Sequence, residues 1–146
     1  MSLFNVFDIT GSGMSAQSVR LNTTASNIAN ADSVSSSADK TYRARHPVFA
    51  AAMQEAATGQ TKSDGSDGSG VGVNVLGIVE SDKPLNVEYS PSHPMADKDG
   101  YIYKPNVNVI EEMTNMISAS RSYQTNVQLA ESAKNMLNKT LQLGQR

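Results

Sequence analysis

The chain has 146 residues, 38% of them hydrophobic and 5% aromatic, with no tryptophan and a net charge of −2. That suffices for one small domain with long helices but is lean for a self-contained core, and the near-neutral charge excludes a general electrostatic pull toward nucleic acid or anionic membrane. The absence of cysteine excludes disulfides, thiolate catalysis and cysteine-based zinc sites, and no apolar run approaches the roughly 20 residues of a membrane span.

Residues 3 to about 30 carry a helical pattern. Phe7, Met14, Leu21 and Ile28 recur every seven residues, and Leu3, Phe4, Val19 and Ala25 widen the apolar stripe. Intrinsic helicity is poor. Gly11 and Gly13 each cost about 1 kcal/mol relative to alanine in a helix interior, and Asn22, Thr23, Thr24, Ser26 and Asn27 are weak helix formers. Such a segment needs packing to order it. Its glycines mark either a kink or the close approach of another helix. The first eight residues lack the basic start and apolar stretch of a cleavable signal, so any export is expected to leave the N-terminus in place.

Residues 31 to 40 are polar and serine-rich and read as an extended or mobile connection. Tyr42 to Phe49 reads as a strand leading into a short alanine-rich helical stretch over 49–57. Residues 58 to 70 contain no large apolar side chain and read as a flexible loop. The period then changes to two. Val71, Val73 and Val75 start a strand that runs to Glu80, and Leu85, Val87 and Tyr89 start a second. After a proline-fixed stretch, Ser90 to Pro94, and a turn at Asp97 to Gly100, a short third strand covers Tyr101-Ile102-Tyr103.

The last helix has a legible start and end. Asn108 suits the N-cap, with Glu111 three residues on to complete a capping box. Lys139 lies near the final turn, and Gly144 suits a left-handed cap. Between them Val109, Met113, Met116, Ser120, Tyr123, Val127, Ala130, Lys134, Leu137 and Leu141 alternate steps of four and three. A 3.5-residue seam serves a partner helix rather than a lone one. Ile110, Ile117 and Leu129 lie off that seam, so the helix suits packing among several neighbours. The expected fold is α+β. A helix occupies 1–31, a small β-rich middle 32–105, and a second helix 106–146, the two helices forming a coiled-coil-like pair that also offers its seam to other subunits.

Candidate chemistry is sparse. His46 and His93 both precede proline and lack metal-ligand spacing, so they read as structural residues. Asp97-x-Asp99-Gly100 opens like a calcium loop, but Tyr101 and Asn108 stand where further ligands belong, and a β-turn explains it better. Asp64 to Gly70 lacks the Lys-Ser/Thr of a phosphate loop. No Gly-x-Ser-x-Gly elbow occurs, and nothing assembles a nucleophile, a base and an oxyanion donor. No catalytic residue, metal or cofactor is expected.

Longer motifs point elsewhere. Ser12 to Gln17 and Ala25-Ser26-Asn27-Ile28-Ala29-Asn30-Ala31 resemble the N-terminal signature of the bacterial flagellar axial proteins. Tyr42 to Phe49, Tyr89 to Asp97, Asp99-Gly100-Tyr101 and Pro105 to Asn108 narrow the likeness to the rod proteins. So does Glu112-Met113 leading through Ser118-Ala119-Ser120-Arg121-Ser122-Tyr123-Gln124-Thr125-Asn126. The resemblance implies an uncleaved protein, exported through the flagellar type III apparatus and assembled into the proximal, periplasmic part of the rod. There its terminal helices would line the export channel and transmit torque. The implied partners are copies of itself and other rod proteins, with neither nucleic acid nor membrane insertion. The expected assembly seam is Phe7, Met14, Leu21, Ile28, Val109, Met113, Met116, Tyr123, Val127, Ala130, Leu137 and Leu141. Ser26 to Asn30, Arg121, Tyr123, Gln124 and Asn126 carry the family signature. A hook subunit or another axial component is a neighbouring alternative. A cell-wall hydrolase is a remote one, which would need Asp97 and Asp99 as a carboxylate pair in a cleft.

Overall fold

Two long helices, α1 (Leu3–Ala29) and α2 (Val109–Gly144), lie side by side and antiparallel in the computed structural model, which describes residues 3–52 and 72–144. The direction is set by three cross-helix pairs. Asn27 bonds Glu112, Arg20 bonds Asn115, and Gly13 abuts Asn126. At about 1.5 Å per residue α1 is about 40 Å long and α2 about 54 Å. The longer helix therefore outruns the shorter.

Between them lie two separate antiparallel hairpins. The first pairs β1 (Arg45–Ala51) with β2 (Val73–Glu80) and packs against α1. A bulge between Val48 and Phe49 leaves Leu76 without a Cα partner. The second pairs β3 (Asn86–Tyr89) with β4 (Tyr101–Lys104). Its connection turns at Gly100, with φ +80°, and the Gly100 amide bonds the Asp97 carbonyl at 2.9 Å. A Cβ at Gly100 would meet the Tyr89 ring at 2.9 Å, so both the conformation and the space call for glycine. Tyr89 and Tyr101 are Cα partners, their rings edge to face at 5.2 Å.

The expected α+β architecture holds, and three local expectations change. Phe49, Ala50 and Ala51 belong to β1 rather than to an alanine-rich helix, because β2 offers Val73 to Val75 as ladder partners and pairing outweighs alanine's weak strand preference. The remainder of that expected helix and the loop at 58–70 lie outside the described residues. Residues 31–40 are tied down: Ser35 exchanges two 3.0 Å backbone bonds with Tyr103, and Ala38–Lys40 forms a 3-10 turn. Gly144 is the last residue of α2, not a left-handed cap, and Gly100 is the one positive-φ glycine among the described residues.

Among the described residues the buried apolar side chains are few and mostly alanine: Ala16, Ala44, Ala119 and Ala133, with Ile102 and Pro105 the larger ones. Thr10, Thr23, Thr24, Asn27, Thr41 and Glu112 are buried beside them. Large apolar side chains stand outside on both hairpins and along α2. The described residues do not close over their own hydrophobic surface.

Candidate assembly surface

The α1–α2 contacts that fix the pairing are polar or involve glycine: Asn27 with Glu112, Arg20 with Asn115, and Gly13 against Asn126. On α2 the buried positions are Glu112, Ala119 and Ala133, seven and fourteen residues apart, with half-buried Asn126 in the same row. On α1, which packs against both α2 and the first hairpin, they are Thr10, Ala16, Thr23, Thr24 and Asn27. Thr10 and Thr23 can be buried because their hydroxyls donate to the Val6 and Val19 carbonyls of their own helix, at 2.8 and 3.1 Å. Gly13 resolves the choice its sequence left open. A Cβ there would lie 2.9 Å from the Asn126 amide nitrogen, so the glycine marks a close approach of α2, whereas Gly11 faces open space.

Asn27 is the junction of the molecule. It is fully buried, and both donors and both acceptor positions of its amide are used. Nδ2 donates to the Arg45 carbonyl at 2.8 Å and to Oε2 of Glu112 at 3.1 Å. Oδ1 accepts from the Arg45 amide at 2.9 Å and the Tyr42 hydroxyl at 2.8 Å. The side chain thus pairs with Arg45 as a neighbouring strand would, and it joins α1, β1 and α2 at one point. Glu112, 3% exposed, is a carboxylate one turn inside α2, where the dipole of the helix N-terminus favours negative charge. Asn108 caps that terminus, accepting from the Ile110 and Glu111 amides at 3.1 and 3.4 Å.

A second asparagine braces the same strand start. Asn106 Oδ1 accepts from the Ala44 amide at 2.9 Å, and its Nδ2 donates to the Lys83 carbonyl at 2.8 Å. Ser12 does the equivalent near the other end of the hairpin. Its hydroxyl accepts from the Val73 amide at 3.1 Å and occupies the space a Cβ on Gly72 would need.

The expected seam residues are half-buried or exposed in the single chain. Phe7, Met14, Leu21 and Ile28 are half-buried on α1, as are Met116, Val127, Ala130 and Leu137 on α2. Val109, Met113, Tyr123 and Leu141 are exposed, Met113 at 54% and Leu141 at 60%. Ile110, Ile117, Leu129, Met136 and Leu143 add further bare apolar positions. Of the signature residues, Ser26 bonds the Tyr42 hydroxyl at 3.2 Å, and Asn30 closes α1 by donating to the Ser26 carbonyl at 2.8 Å. Ile28 is half-buried and Ala29 exposed. Arg121 and Gln124 are exposed, Tyr123 is 38% exposed, and Asn126 lies against Gly13. Sequence reasoning missed the bonding roles of Tyr42, Arg45, Asn106 and Glu112. The one signal was the dense polar run around Asn27 in an otherwise amphipathic helix.

The remaining candidates are local structure. His46 sits in β1 opposite Val79, and His93 Nδ1 accepts from the Met95 amide at 3.1 Å. Asp97 serves its turn, with Oδ1 accepting from the Lys98 amide at 2.7 Å. Among the described residues no group of three or more His, Asp or Glu side chains is placed to hold a metal, and no helix is long and apolar enough to cross a membrane. The Lys104 ammonium, hydrogen-bonded to Glu88 across the second hairpin, holds that carboxyl below its ordinary range.

Comparison with known proteins agrees with the motifs. Residues 7–35 match a family described as flagella basal body rod protein, and residues 98–143 match one described as flagellar basal body rod FlgEFG protein C-terminal. The chain is 47% identical over 145 residues to the flagellar basal-body rod protein FlgC of Salmonella typhimurium, covering 99% of this chain and all of the relative. Its identity to the FlgC protein of Escherichia coli O157:H7 is 48% over 146 residues, with the same coverage. To that of Borreliella burgdorferi it is 36% over 147 residues, 97% of each. With most of both terminal helices inside rod-protein matches and nearly the whole chain aligned to these relatives, the chain belongs to the FlgC family of flagellar basal-body rod proteins.

Proposed function

We propose that this chain is a structural subunit of the flagellar basal-body rod, held among other rod subunits by the apolar flanks of its terminal helices. The observation that carries this reading is the position of the seam. The buried residues of α1 and α2 are threonine, alanine, asparagine and glutamate, and Val109, Met113, Tyr123 and Leu141 stay in water. Apolar area left exposed in a monomer gains about 25 cal/mol for each Å² a neighbour covers. Different faces carrying different residues make heterologous contacts, which build an open array rather than a closed dimer. Torque would then pass through many weak contacts at once.

Finer points belong to the same reading. The subunit acts without catalysis. It leaves the cell through the flagellar type III apparatus with its N-terminus uncleaved, and it functions in the proximal rod across the periplasmic space, its helices lining the export channel. It engages neither nucleic acid nor the membrane. The small, hydrogen-bond-dependent core fits a chain that travels unfolded and orders on docking.

The test is Met113→Asp in a strain lacking the native protein. Because Met113 is exposed, the isolated fold is expected to change by under about 0.5 kcal/mol, whereas a buried, unpaired carboxylate in an assembled wall costs several kcal/mol. The variant is expected to be secreted, to be missing from purified basal bodies and to leave the cells non-motile. Motile cells with intact rods would overturn the reading.

A further inference from the structure

Each hairpin has one strand whose outer edge is closed and one whose outer edge is bare. In an antiparallel ladder alternate residues turn their N–H and C=O toward the partner strand and away from it. The Ser81 amide bonds the Ala44 carbonyl at 2.8 Å, so in the first hairpin Arg45, Pro47, Ile78 and Glu80 turn outward. On β1 these outward positions are closed. Arg45 gives both backbone groups to the Asn27 amide, and Pro47 has no N–H to offer. In the second hairpin the Ser90 amide bonds the Gly100 carbonyl at 2.9 Å, so Val87, Tyr89, Tyr101 and Tyr103 turn outward. On β4 these are closed too. The Tyr101 carbonyl accepts from the Asp97 amide at 2.8 Å, and Tyr103 exchanges its bonds with Ser35.

β2 and β3 are left open. The backbone groups of Ile78, Glu80, Val87 and Tyr89 have no hydrogen-bond partner among the described residues. The side chains along both edges are bare as well, with Ile78, Val79, Val87 and Tyr89 all more than half exposed. An open apolar edge is a template for another strand, and proteins close such edges by the means seen here on β1 and β4.

We infer that the β2 edge of one subunit pairs with the β3 edge of a second copy, joining two hairpins into a four-stranded sheet between subunits. The occupant follows from hydrogen-bond complementarity. An extended backbone is the partner that offers donors and acceptors at the two-residue spacing of these groups, about 7 Å, and the chain itself carries one open edge on each hairpin. Antiparallel pairing sets Ile78 opposite Tyr89 and Glu80 opposite Val87. The first is an aromatic–β-branched pair of the kind that stabilises sheets. Because β2 and β3 are different surfaces, the contact is heterologous and repeats from copy to copy instead of closing a two-fold dimer. It involves neither terminal helix.

The inference rests on the rod reading, and the experiment separates the two. The chain has no cysteine of its own. Full-length Ile78→Cys and Tyr89→Cys copies, distinctly tagged, are expressed together in cells lacking the native protein. Disulfides in purified basal bodies are then read on non-reducing gels and by mass spectrometry. Residues directly opposite in such a pairing lie about 5.5 Å apart at Cα, within disulfide reach. A mixed disulfide between positions 78 and 89 is expected, and none in rods built from either variant alone. Rods that contain both variants but no mixed disulfide, as when a different rod protein covers these edges, would overturn the inference and leave the rod reading standing. So would a disulfide between two Tyr89→Cys copies. Absence of the unmodified chain from basal bodies would sink the rod reading itself. If either cysteine keeps the chain out of rods, amide hydrogen exchange in rods of the native chain decides. Exchange on both β2 and β3 is expected to slow more than about tenfold relative to the free subunit, and unchanged exchange on either strand would overturn the inference.

Discussion

The junction at Asn27 and the flanks of α2 invert the usual distribution of chemistry. At the junction an amide, a carboxylate and a tyrosine hydroxyl are dry and hydrogen-bonded. Along α2, Ile110 and Leu143 stand 77% and 75% exposed. Hydrogen bonds are directional, so the polar junction fixes how α1, β1 and α2 cross even though little apolar area is buried. Apolar packing is less exacting in geometry and tolerates a change of partner, so it suits the outside, where neighbours in an array differ. The subunit's shape and its association therefore draw on different residues, and each can be disturbed without the other.

The largest effect should come from breaking the inside. Asn27→Ala leaves the Arg45 backbone, the Tyr42 hydroxyl and the buried Glu112 carboxylate without that partner. A loss of about 3–5 kcal/mol is expected, read by urea unfolding under far-UV circular dichroism. Retention of stability within about 1 kcal/mol would mean that the junction does not organise the fold. Tyr42→Phe, which removes one bond and keeps the volume, should cost nearer 1 kcal/mol.

The two glycines of α1 sharpen the comparison at intermediate magnitude. Gly13→Leu drives a side chain into Asn126 and should destabilise by about 1–3 kcal/mol. Gly11→Ala, with nothing within 4 Å, should stabilise by about 0.5–1 kcal/mol. Thermal melts of the pair measure this directly, and equal effects would show that α2 does not approach α1 closely at Gly13.

The smallest effect lies on the second hairpin. Lys104, hydrogen-bonded to exposed Glu88, lowers its pKa. A depressed folded-state pKa adds stability above the ordinary glutamate range, and that contribution fades as pH falls through the folded value. Carboxyl-carbon NMR should show Glu88 titrating below an ordinary glutamate, with Lys104→Met returning it upward. An unchanged midpoint in the variant would remove the ion pair from the account.

Much of this was readable before the fold was seen. Periodicity and capping placed α1 and α2 to within about a residue at the ends described, since Asn108 supplies cap chemistry and heptads are a helical signal. Alternation found β2, β3 and β4. The end of β1 was not readable, because Phe49-Ala50-Ala51 is extended only by virtue of Val73 to Val75 pairing with it across a long stretch of sequence. Whether the heptad residues Phe7, Met14 and Met113 meet other subunits is not written in one chain's fold; within the chain the close approach of α2 falls at Gly13, against Asn126.

What the sequence alone determined is therefore the kind of molecule: two seamed helices around a small β-rich middle, with the signatures of a rod protein. Local rules suffice for that, because helical period, capping and strand alternation are written within a few turns of chain. Only the tertiary structure decided which rows of each helix meet, that Asn27 gathers three elements onto one amide, and that α2 runs on beyond α1. Those outcomes depend on side-chain size and on hydrogen bonds that reach as many as 95 positions along the chain, which no local pattern encodes.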